Sequence, residues 1–142
     1  MNRQQTRTLW FLYLSLMSSV VLYAVVAVLI DGQGGPKNLE QGGLDLATLQ
    51  IVFLALGVGA TVMSFVIPGL VVRAPRGEAL PYQSLVTKKI LQWAFSETIA
   101  IFGLVLYFLS GELNLVYVFA AWAAVVMVFH GPFGLDSSDR RS

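Results

Sequence analysis

The sequence predicts an all-α membrane protein: four transmembrane helices in an antiparallel bundle, with both termini in the cytoplasm. Three observations lead there. Of the 142 residues 56% are hydrophobic and only 12% charged, about half the charged fraction of a soluble domain. The apolar residues gather into four continuous runs rather than alternating. All the basic residues except Lys37 fall on one side of those runs.

The runs are Leu9 to Ile30, Leu49 to Val72, Ile90 to Leu109 and Leu113 to Phe129. A helix crosses a hydrocarbon core of about 30 Å with roughly 17–25 residues. Each run reaches that length, so helices are expected over about 9–30, 49–72, 89–110 and 113–130. Only helices and closed barrels satisfy their backbone in lipid, and continuous runs favour helices. The first run exceeds the usual apolar stretch of a secretory signal and has no small-x-small cleavage site, so it reads as a retained span.

The connections set the orientation. "DGQGGPKNLEQGGLD" (31–45) holds three acids and Lys37, whereas "RAPRGEALPYQSLVTKK" (73–89) holds Arg73, Arg76, Lys88 and Lys89 against Glu78. The ends add Arg3, Arg7, Arg140 and Arg141. The positive-inside rule puts these in the cytoplasm, with the chain in the cytoplasmic (inner) membrane. Trp10, Tyr13 and Trp93 near one boundary, and Tyr107 and Tyr117 near the other, fit aromatic belts. The tight turn "SGELN" makes the last two helices neighbours. The expected organisation is a single domain over 1–135 and a tail over 136–142 with nothing to bury.

Within the apolar runs one formal charge stands out. Glu97, in "LQWAFSETIAIFGLVLYFLSG", lies nine residues beyond Lys88, a depth of about 13 Å and so close to the bilayer midplane. The same count along the other helices reaches Ser18 and Ser19 in the first, Thr61 to Ser64 in the second and Trp122 in the fourth. With Thr98 these groups form a polar layer around the carboxyl. No basic residue shares that layer, and desolvation favours the neutral form of an acid. Two readings follow. Glu97 is a protonatable or cation-binding site for a proton or sodium ion, or it is neutral hydrogen-bonding glue between helices.

Other candidates have plainer roles. Gly57, Gly59, Gly103 and Pro68 are expected to serve helix packing, the glycines by close backbone approach. His130, in "FHGPFG", reads as an interfacial residue. Cysteine is absent and His130 is the one histidine, which gives no basis for a metal centre. No cofactor is expected, nor a nucleic-acid partner, since the basic residues form no footprint. A nucleophile–base pair and a phosphate-binding loop are both missing, so an enzyme is not expected.

"FSETIAIFGLVLYFL" resembles the carboxylate-bearing helix of the c-subunit, or proteolipid, of rotary ATP synthases. The likeness extends over a hairpin of about 55–109: a glycine-bearing helix, a basic loop with Arg and Pro, then the glutamate helix. It implies that Glu97 carries the translocated proton or sodium ion, with Thr98 and Thr61 or Ser64 as secondary ligands. The glycine repeat is reduced to Gly57 and Gly59, and an extra helix flanks the hairpin on each side. Length and topology are also similar to small four-helix accessory proteins that assist assembly of the ATP synthase c-ring. Both resemblances imply other membrane subunits or further copies of the chain as partners.

Overall fold

The computed structural model describes residues 3–36, 45–72 and 81–132. It is all-helical among these residues, with four helices: α1 (Arg3–Gly32), α2 (Leu46–Val71), α3 (Tyr82–Ser110) and α4 (Leu113–Phe129). The tail over 136–142, the centre of the glycine-rich connection and the first half of the basic one lie outside the described residues.

Three helices, α1, α2 and α3, are long and apolar enough to cross a membrane. With 17 residues, α4 extends about 26 Å, slightly less than the hydrocarbon thickness. Three of the helices, α1, α2 and α3, begin earlier than their apolar runs do. α1 starts at Arg3 rather than Leu9, and α3 at Tyr82 rather than 89, which turns the second half of the expected basic loop into helix. Hydropathy marks where lipid begins, whereas helical hydrogen bonding continues into the polar interface. For α3 the start lies at Pro81, whose carbonyl accepts from the Leu85 amide at 3.0 Å; proline has no amide to leave unpaired there.

Glycine ends two helices. Beyond α1, the Gly35 amide donates to the Ile30 carbonyl and the Gly34 amide to that of Asp31, both at 3.0 Å. Gly34 takes the positive φ of 109° that this double closure needs. At the end of α3, Gly111 has φ 74° and donates to Tyr107 at 2.7 Å, and α4 begins two residues later.

Contacts between helices follow a consistent order. Along α1 and α3 the paired residues climb together: Gln5 with Tyr82, Tyr13 with Trp93, Asp31 with Tyr107. Between α3 and α4 the order reverses, Lys89 meeting His130 and Gly103 meeting Phe119. Phe53 of α2 lies 5.8 Å from Phe102 of α3, centroid to centroid. Thus α3 packs on all three other helices, α1 also lies against α4, and α2 reaches α4 through Trp122 and His130.

The core is built mainly on α3 and α4: Trp93, Ile99, Leu106, Tyr107, Ala123 and Met127 are fully buried. The outer faces are equally apolar, with Phe11, Ile51, Leu54, Val62, Phe65 and Phe129 exposed. Apolar side chains covering the outside of a fold this way mark a surface that faces lipid.

Candidate functional site

Glu97 sits on the α1 side of α3, half-buried, with exposed Ile90 and Ile101 seven residues before it and four after. These spacings share one helical face, so the carboxyl lies at the rim where the α1–α3 contact meets the lipid-facing surface. Two hydroxyls of α1 converge on it. Ser19 Oγ lies 2.6 Å and Tyr23 OH 2.7 Å from the same oxygen, Oε1, and each is placed to donate to it. Ser19 and Tyr23 are four residues apart, one helical turn, which stacks them on one face of α1.

Ser19 has a second neighbour, the Leu16 carbonyl oxygen at 2.7 Å. A serine hydroxyl holds a single proton and two lone pairs. It therefore stands between two acceptors with one proton to give.

Of the sequence-expected layer, only Ser19 meets Glu97. Thr61 donates to Gly57 at 2.9 Å, Ser64 to Thr61 at 2.7 Å and Thr98 to Ala94 at 2.9 Å, all backbone carbonyls of their own helices. Ser18 likewise donates to Leu14 and is exposed. In a helix such back-bonding always offers a nearby acceptor, so depth alone does not bring hydroxyls together. Trp122 is engaged elsewhere, its ring lying over Gly57: a Cβ added there would come within 2.8 Å of it. The hydroxyls against Glu97 thus come from α1, while Thr61, Ser64 and Thr98, the secondary ligands implied by the proteolipid likeness, bond within their own helices.

Among the packing residues, Gly57 and Gly103 allow close approach, while Gly59 has nothing within 4 Å of an added Cβ. Pro68 is buried inside α2, and its missing amide leaves the Ser64 carbonyl without a helical donor.

Two features escaped the sequence reading. Tyr23 lies one turn beyond the midplane layer, but helix side chains lean towards the N-terminus, which carries its hydroxyl back to the level of Ser19. His130 is only 2% exposed and is part of the fold. Its carbonyl accepts from Lys89 Nζ at 2.9 Å and Trp93 Nε1 at 3.1 Å, and Lys89 also reaches the Gly131 carbonyl at 3.3 Å. An ammonium at the C-terminus of α4 suits the negative end of the helix dipole.

The His130 ring keeps Nδ1 2.8 Å from the Val126 carbonyl. Burial pushes its pKa below the ordinary 6.5, the nearby Lys89 charge adds to this, and the Val126 and Ser64 carbonyls oppose it. No protein-family model, curated protein or solved structure matches the chain.

Proposed function

We propose that the chain is a non-enzymatic multi-pass membrane protein, an up-and-down antiparallel bundle with cytoplasmic termini, in which Glu97 is a protonatable site within the bilayer. One observation carries this reading: the single proton of Ser19 faces two acceptors, Leu16 O and Glu97 Oε1. A proton on Glu97 resolves the shortage. The acid then donates from Oε1 to Ser19, Ser19 donates to Leu16, and Tyr23 still donates to Oε1, so each of the three hydroxyl protons has an acceptor.

A proton suits the site better than sodium does. Oxygens 2.6 and 2.7 Å apart are spaced for shared protons, and a metal ion between them would have to push them apart. The rim position gives the carboxyl a route to exchange that proton without opening the core. The proteolipid-like role of ion translocation follows as the function of such a group.

A second reading has its own support. The same bonds join α1 to α3, so Glu97 also suits a neutral anchor in a non-transporting subunit or assembly factor.

Glu97→Gln separates the two, because the amide oxygen still accepts from the hydroxyls of Ser19 and Tyr23 at that position but the group carries no exchangeable acid proton. Reconstituted into vesicles with a pH-sensitive dye, a carrier loses its proton flux in this variant while folding normally. Labelling of the native carboxyl by a membrane-soluble carbodiimide should also fall as pH rises. Flux unchanged in Glu97→Gln sinks the carrier reading and leaves the anchor.

A further inference from the structure

A second titratable group, independent of Glu97, lies where α2, α3 and α4 meet at the basic end of the bundle. His130 follows the last residue of α4, is 2% exposed, and has its ring centroid 4.3 Å from that of Phe65 in α2. Next to Phe65 is Ser64, fully buried, whose carbonyl Pro68 leaves without its helical donor. Nδ1 is committed to the Val126 carbonyl, while Nε2 is buried with no hydrogen-bond partner.

Donation from Nδ1 to Val126 leaves Nε2 as the unprotonated nitrogen of a neutral ring. A proton from water has one place to go, Nε2, and would put a full charge into a buried junction. Among the described residues, the surrounding groups do little to receive it. From α3 comes Lys89, already cationic and bonded to the carbonyl of His130 itself. From α2 come only Phe65 and the Ser64 carbonyl, because no residue of α2 ionises. From α1 comes Tyr13, whose ring centroid lies 5.5 Å from that of Trp93 rather than on the imidazole. The titratable residue of α4 itself, Tyr117, lies near its opposite end.

We propose that His130 is an acid-responsive latch: protonation at Nε2 drives its ring out of the junction and loosens the end of α4 that Lys89 and Trp93 hold. The Ser64 carbonyl offers the imidazolium one hydrogen bond, but burial and Lys89 outweigh it, in keeping with the lowered pKa. The sign follows. A base with a depressed folded pKa contributes its stability in full above its ordinary value of 6.5 and loses it as pH falls below that, through the folded value.

The chain has a single histidine, so nitrogen NMR on ¹⁵N-histidine protein in lipid nanodiscs reads His130 alone. The expected spectrum is that of a neutral Nδ1–H tautomer near neutral pH, with a titration midpoint below 6.5 that rises in Lys89→Met. The thermal midpoint of the native protein should fall on acidification, and that fall should shrink in His130→Gln. A titration midpoint at or above 6.5 overturns the latch, as does an undiminished pH dependence in His130→Gln. Should His130→Gln not fold, the native and Lys89→Met titrations decide by themselves.

Discussion

Gly103 of α3 lies directly against Phe119 of α4: a Cβ added to the glycine would come within 2.5 Å of the Phe119 Cβ and 3.3 Å of the Leu115 carbonyl oxygen. Neither atom is the free end of a side chain, so neither can swing aside. Gly103→Ala should therefore force the α3–α4 pair apart at a cost of about 1–3 kcal/mol. Gly59→Ala, with open space around it, should be tolerated. Thermal unfolding in detergent compares the two, and equal loss in both would refute the close approach.

The hydroxyls of Ser19 and Tyr23 share one acceptor atom. Ser19→Ala and Tyr23→Phe should each cost about 0.6–2 kcal/mol, the range for polar contacts between membrane helices. Because either can partly serve the carboxyl alone, the double variant should lose more than the two single losses combined. Strict additivity in a double-mutant cycle would show that they act separately.

Trp93 and Lys89 close the end of α4 from the neighbouring helix. Trp93→Phe keeps an aromatic ring near Tyr13 but removes the indole donor, and should cost about 1 kcal/mol. Lys89→Met removes both the donor and the charge that faces the helix C-terminus, worth a further 0.3–1 kcal/mol or about that. Hydrogen exchange should show the loss first at Val128 to Gly131.

The absence of cysteine makes orientation easy to probe. A cysteine at Ser84, in the first turn of α3, should resist an impermeant thiol reagent in intact cells. One at Glu112, in the turn before α4, should react. The reverse pattern would invert the orientation inferred from the basic loops.

The four helices were legible because continuous apolar length carries its own meaning. Their starts were not, since Arg3 to Thr8 and Tyr82 to Lys89 are helical without being apolar. The site was legible in part. A carboxyl in an apolar run identifies itself, and depth counting found Ser19. It also proposed Thr61, Ser64 and Thr98, because depth says nothing about which way a helix is turned around its axis. Rotation is set by packing, here by Gly57 under Trp122 and Gly103 under Phe119. The role of His130 was hidden for a related reason: its neighbours Lys89 and Ser64 lie 41 and 66 residues away, and no local pattern joins them.

The bonds to Glu97 span 78 residues from Ser19 and 74 from Tyr23. During synthesis α1 therefore enters the membrane with its hydroxyls waiting, and α2 must follow before their acceptor has been made. For its part, α3 brings its carboxyl to a helix already in place. The chain thus carries an assembly order in its hydrogen bonds, in which the first helix completes its polar contacts only when the third arrives.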